Sequence, residues 1–164
     1  FTLAEPAALI ALPYHSLGHL PSLDDKRDAL RHIYEQLRPG GRFLFDDFFM
    51  TPARLDHMRQ VQLRAAYLSA DGHDVLLWVT SLIDDAAQSM RVVTWEDELD
   101  AEGTLRRRRY RMLSLSWLEP AQAKALLQDA GFSIDACFGD FDGTSFDVSS
   151  AQEQLWVARK GVNR

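Results

Sequence analysis

Two histidines four residues apart, His15 and His19, lie in the segment Pro13-Tyr14-His15-Ser16-Leu17-Gly18-His19-Leu20, and a later apolar run closes on two carboxylates, Asp46 and Asp47. Imidazole titrates near neutral pH, so either histidine could take a proton from an acceptor group, and a neighbouring carboxylate could orient an amine or a hydroxyl. The same residues could imitate a two-histidine, one-carboxylate metal site. Pro13 and Gly18 make this segment a loop, however, whereas a rigid element would be needed to aim both rings together, and the site is read as metal-free. A Ser16, His19, Asp46 triad lacks the Gly-x-Ser-x-Gly elbow. Pro39-Gly40-Gly41 is not a phosphate loop, because no Gly-Lys-Ser/Thr follows it and it leads into a strand.

A second charged feature is the run Arg106-Arg107-Arg108-Arg109, with Tyr110 and Arg111. It could be a basic patch for an acidic ligand. Alternatively, a hairpin turning at Glu102-Gly103 sets Glu98 opposite Arg107, Asp97 opposite Arg108, Glu96 opposite Arg109 and Trp95 opposite Tyr110, so that the arginines are matched across strands.

The elements that must position these residues follow from periodicity. Ala7 to Leu12 is a continuous apolar run stopped by Pro13, the pattern of a strand covered on both faces. Ser22 suits an N-cap, Asp24 and Asp25 suit a first helical turn, and Leu30, Ile33, Tyr34 and Leu37 recur at helical spacing. Arg38-Pro39-Gly40-Gly41 ends that helix, and Arg42 to Asp46 reads as a second buried strand, completing a βαβ unit. Pro52 to about Leu68 reads as a helix. Val75 to Ile83, Arg91 to Leu99 and Leu105 to Trp117, rich in branched and aromatic residues, read as a three-stranded antiparallel meander. A helix from Pro120 to Gly131 and strands over Phe132 to Gly139 and Gln154 to Lys160 finish the chain.

The 164 residues carry 18 Lys plus Arg against 24 Asp plus Glu, a net charge of −6, with 46% hydrophobic residues and one cysteine, Cys137. That composition suits one globular domain, here 1–164 with an antiparallel insertion at about 72–117. The acidic balance argues against general nucleic-acid binding, which needs surplus Lys and Arg to neutralise phosphates. No apolar run approaches the ~20 residues of a membrane span, so no membrane association is expected. A single cysteine accords with a cytoplasmic location. The chain opens on Phe1 and runs almost at once into a strand, which reads as a domain cut away from something upstream.

Leu-Arg-Pro-Gly-Gly-Arg-Phe-Leu-Phe-Asp at 37–46, after Pro-Tyr-His-Ser-Leu-Gly-His-Leu at 13–20 and before Asp-Ala-Gly-Phe-Ser-Ile at 129–134, resembles the class I S-adenosylmethionine-dependent methyltransferases. The resemblance implies an α/β fold, a partial Rossmann-like sheet comprising the C-terminal strands, the last one antiparallel, with the meander inserted. Gln154 to Lys160 is similar to the family's reversed final strand. The family's first strand, with its glycine-rich cofactor loop, has no counterpart in these residues. The expected cofactor is S-adenosylmethionine, with Leu12, Pro13, Tyr14, Leu17 and His19 as its contacts. Tyr14, His15 and His19 become the candidate catalytic residues. Asp46, Asp47, Trp78, Trp95 and Tyr110 become the candidate contacts to a small-molecule methyl acceptor, the aromatics being readable equally as the meander's own packing.

The expected activity is that of a transferase, with the chain alone inactive if the cofactor loop is required. The alternative is a non-catalytic binding or self-association module on a half fold. In the family the strand matching 7–12 pairs with the first strand. Left uncovered, its apolar edge is a template for self-association.

Overall fold

The computed structural model describes residues 2–162, so Phe1 lies outside the described residues. In chain order the elements are β1 (Ala7–Leu12), a 3-10 turn (Ser16–His19), α1 (Leu23–Gln36), β2 (Leu37–Phe48), α2 (Pro52–Arg59), β3 (Gln62–Leu68), β4 (Asp74–Asp84), β5 (Ser89–Leu99), β6 (Leu105–Ser116), α3 (Pro120–Asp129), β7 (Phe132–Phe138) and β8 (Glu153–Lys160). They form two compact units, residues 2–50 with 116–162, and Thr51–Leu115.

The first unit is a four-stranded mixed sheet in the order β1-β2-β8-β7. β1 runs parallel to β2, with Leu12 beside Phe45, while β2–β8 and β8–β7 are antiparallel. Both faces of α1 and α3 chemistry agree with this placement: Leu30 and Ile33 of α1 and Ala123, Leu126 and Leu127 of α3 pack with Phe43, Phe45, Phe132, Trp156 and Ala158 in one core. Phe43 pairs with Ala158 and Phe45 with Trp156, so these side chains share one face of the sheet. The Ser22 hydroxyl accepts from the Asp25 N–H at 3.0 Å, and Asp24 and Asp25 occupy the first turn of α1, as their types suggest.

Two expectations are revised here. β1 is not covered on both faces: its residues are half-buried or exposed, Leu9 being 56% exposed, and among the described residues it stands at the edge of the sheet beside β2. An unbroken apolar run is equally compatible with a half-buried edge when nothing charged marks the outward positions. β2 begins at Leu37 rather than Arg42, because Leu37 already pairs with Ala7 before a register shift. Gly40 takes φ +76°, and a Cβ on Gly41 would stand 2.9 Å from the Arg38 carbonyl oxygen and 3.0 Å from that of Ala7. These two glycines let the chain leave α1 and join β1 within a few residues.

The second unit is an antiparallel sheet in the order β3-β4-β5-β6. It has four strands, not three. Residues 62–68, expected to continue the preceding helix, instead pair with β4, Tyr67 beside Val75 and Leu63 beside Trp78. The helix is only Pro52–Arg59, capped by Thr51 and followed at Gln60 by extended backbone. Leu63, Ala65 and Ala66 favour a helix locally, and the pairing edge of β4 overrides that preference. The arginine run is matched as the hairpin register requires. Arg107 meets Glu98, Arg108 grips both Asp97 oxygens at 2.5 and 2.7 Å, and Arg109 lies 4.0 Å from Glu96. Arg108 holds the Asp97 carboxyl below the usual carboxylate range.

Candidate active site

The carboxyl end of β2 distributes three consecutive side chains by the alternation of a strand. Asp47 points to the helix-covered side with Phe45, while Asp46 and Phe48 point the other way, opposite Leu155 and Glu153 of β8. The loop after β1 brings His15 to that second group. Its ring stacks on Phe48 at 3.8 Å between centroids and 18° between planes. Its Nε2 is 3.0 Å from Glu153 Oε2 and 3.5 Å from Asp46 Oδ2, and its backbone N–H donates to Asp46 Oδ2 at 2.9 Å. The Asp46 carboxylate, 4% exposed, therefore fixes the backbone of the loop, and Glu153 fixes the ring.

An ionised carboxylate only accepts hydrogen bonds, so the His15 Nε2–H donates to Glu153. The chemistry of the group is that of a histidine base oriented by an acid, assembled from residues 138 positions apart in sequence.

The loop itself is strained. Tyr14 and His15 both take left-handed backbone angles, φ 60° and 51°. For non-glycine residues such conformations cost about 1–3 kcal/mol each and persist where the surroundings enforce them. The enforcement comes from below. Lys26 of α1, 1% exposed, donates to the Leu17 carbonyl at 2.6 Å, and the Ser116 hydroxyl donates to that of Leu20 at 2.7 Å. Desolvation lowers the Lys26 pKa, partly offset by the carboxylates of Asp47 and Asp25. Gln154, fully buried, donates to the Phe48 and Leu118 carbonyls at 2.8 and 2.7 Å and accepts from the Trp156 indole at 2.9 Å. Asp47, also fully buried, accepts the N–H groups of Phe48 at 2.8 Å and Leu118 at 3.1 Å. Burial pushes its carboxyl up to about 7, against the opposing pull of the Phe48 N–H and of Lys26.

The residues singled out from sequence thus fall into distinct places. Tyr14, 89% exposed, stands beside His15 and Asp46 at the carboxyl ends of β1 and β2, with Leu12 half-buried and Pro13 exposed. His19 ends the 3-10 turn and is exposed. Leu17 and Asp47 do not line the site: both are fully buried beneath it, because the apolar side chain joins the core and the carboxylate is consumed by backbone N–H groups. Trp78, Trp95 and Tyr110 belong to the second unit, where Trp78 stacks on Trp95 at 6.2 Å, the Tyr110 ring lies tilted by 38° against Trp95 at 6.1 Å, and Arg108 stands over Trp95 and Tyr110. Glu153, Lys26 and Gln154 are not singled out by the sequence as site residues; Gln154 opens the strand read over 154–160 and Glu153 precedes it, but nothing in their spacing points to His15 or to the loop.

No family model and no curated protein sequence matches this chain. Solved structures do. It superposes on the CcbJ methyltransferase from Streptomyces caelestis with a TM-score of 0.73 and 21% identity, over 97% of this chain and 59% of that one. An S-adenosylmethionine-dependent methyltransferase from Clostridium acetobutylicum gives 0.74 and 13%, over 98% and 61%. CalS10, an amino pentose methyltransferase from Micromonospora echinaspora solved with S-adenosylmethionine bound, gives 0.69 and 19%, over 98% and 61%. The chain therefore spans about three-fifths of the length of these proteins. The order β1-β2-β8-β7 with one parallel pair, the antiparallel closing strands and these superpositions together establish that the chain has the fold of the S-adenosylmethionine-dependent methyltransferases.

Proposed function

We propose that this chain forms part of an S-adenosylmethionine-dependent methyltransferase acting on a small molecule, with His15 as the base and Glu153 as its orienting partner. The observation that carries the reading is the His15–Glu153 contact of 3.0 Å at the carboxyl ends of β1 and β2. In open α/β sheets that end of the strands is where ligands bind. The residues present fit the cofactor: a sulfonium cation bound near His15 would be favoured by the Asp46 and Glu153 carboxylates, and Leu12 and Pro13 offer apolar surface. Leu12, Pro13, Tyr14 and His19 would hold S-adenosylmethionine, which supplies an electrophilic methyl group.

Methyl transfer asks a protein mainly for alignment and for removal of the acceptor's proton. His15 Nδ1 takes that proton while Nε2–H stays on Glu153, so the imidazolium that forms lies against a carboxylate. Phe48 holds the ring plane by stacking, and the Asp46 bond to the His15 N–H holds the loop in register. Tyr14, on the same strained loop, is the proposed acceptor contact of this unit. The amino pentose named for CalS10 makes an amine acceptor the first choice.

Calorimetric titration of the natural gene product containing this sequence with S-adenosylmethionine is expected to show saturable binding; absence of heat overturns the reading. His15→Gln is expected to lower kcat by about 10²–10⁴-fold, the usual contribution of a general base, with the KM for the cofactor little changed. Glu153→Gln, which keeps a neutral acceptor, is expected to lose less.

The second component of the proposal is self-association through β1. Its sequence, Ala-Ala-Leu-Ile-Ala-Leu, carries no charge, proline or bulge-promoting glycine on its open side, the usual protections of an edge. A second copy of the same strand is its proposed partner. Cys137 is half-buried, and burial pushes its thiol up to about 11. Among the described residues no helix is long and apolar enough to cross a membrane.

A further inference from the structure

The two faces of the second unit treat the arginine run differently. Arg108, on one face, has a carboxylate to itself, held through both oxygens. On the other face Arg107, Arg109 and Arg111 stand in a row about 6–7 Å apart, as alternate residues of a strand do. Among the described residues the carboxylates beside them are Glu98 and Glu96. Glu98 is engaged by Arg107. Glu96 is divided three ways, 3.5 Å from Arg111, 4.0 Å from Arg109 and 3.2 Å from the Tyr67 hydroxyl. Three guanidinium groups against two carboxylates leave one positive charge uncompensated, and it belongs to Arg109 and Arg111, whose side chains are 53% and 65% exposed.

These groups line a cavity of about 250 Å³, closed by Val75 of β4 and by Tyr67 and Ser69 at the β3 side. The volume lies just below the ~300 Å³ at which drug-sized ligand pockets begin, so it has room for one small molecule. A guanidinium presents five N–H donors in a planar fork that matches the oxygens of phosphate or carboxylate, and neither Arg109 nor Arg111 has a close bidentate partner.

We infer that this face of the β3–β6 sheet is a binding site for a small hydroxylated oxyanion, its phosphate or carboxylate held by Arg109 and Arg111 and its hydroxyl groups by Tyr67 and Ser69. An incoming anion relieves the crowding of like charges along β6, and the Tyr67 ring and Val75 give the ligand's carbon skeleton a surface to rest on.

The test is a titration of the chain with inorganic phosphate, glucose 1-phosphate and glucuronate in turn, following the arginine side-chain N–H signals by NMR at constant ionic strength in chloride. Saturable shifts confined to Arg109 and Arg111 are expected. Glucose 1-phosphate is expected to bind several-fold tighter than inorganic phosphate, and its comparison with glucuronate decides between phosphate and carboxylate. Arg111→Gln, and Arg109→Gln with Arg111→Gln, are expected to weaken binding by about tenfold per guanidinium removed, the effect of a charge-assisted hydrogen-bonded pair. Arg106→Gln, whose side chain bonds His73 instead, should leave it unchanged. The inference is overturned if none of the three anions saturates at tens of millimolar, if the shifts spread evenly over all arginines, or if the folded Arg111→Gln variant binds as the parent does.

Discussion

His15 acts through the company the fold gives it. An imidazole on an exposed loop is mobile; stacked on Phe48, bonded through Nε2 to Glu153 and anchored by its own backbone N–H to Asp46, this one is held in a single orientation. Behind it, Asp47 is a strut whose carboxylate holds the Phe48 and Leu118 N–H groups. Replacing it by alanine leaves two buried donors unpaired, at a cost of about 2–4 kcal/mol in a urea unfolding curve. The same residue has a pH signature. Its carboxyl ionises at the ordinary 3.8 in the unfolded chain and at about 7 in the folded one. Between those values the folded state keeps a proton that the unfolded state releases. The contribution of Asp47 to stability is therefore fullest below the lower value, declines as the pH rises to about 7 and is level above it. Asp47→Asn, neutral throughout, is expected to flatten that slope in urea midpoints measured across the window. An unaltered slope would show that other groups set it.

At the scale of elements, α1, α3, β7, β8 and three strands of the second sheet follow from local signals: a capping Ser22, prolines at the start of helices, and alternating branched and aromatic residues. β3 does not, since Leu63, Arg64, Ala65 and Ala66 are good helix formers that become a strand only because β4 offers an unpaired edge. The junction of α1 with β2 is set by sequence and geometry together. Gly41→Ala places a methyl group within 3.0 Å of the Ala7 carbonyl oxygen, so the two strands must move apart. A loss of about 1–3 kcal/mol is expected in thermal melts, the usual penalty of overpacking. A melt unchanged from the parent would mean the junction is looser than its contacts indicate.

At the scale of the molecule, the proposed pairing of β1 with a second copy concerns the oligomeric state. Self-association at micromolar concentration is expected in sedimentation or light scattering, and Leu9→Lys, a charge on a residue already 56% exposed, is expected to abolish it without unfolding the sheet. A parent that sediments as a monomer overturns the edge-pairing proposal. The sequence by itself determined the βαβ unit, the reversed closing strands, the matching of Arg107, Arg108 and Arg109 to Glu98, Asp97 and Glu96, and the loop that carries Tyr14 and His15, because each rests on periodicity, turn residues or hairpin register within a short span. Tertiary structure alone decided that Asp46 faces His15 while Asp47 turns away beneath it, that Lys26 is buried under the loop, and that Glu153 becomes the partner of His15. Those facts depend on which face of β2 the helices cover and on the register of β8 against it, and such long-range pairings leave no periodic mark in the chain.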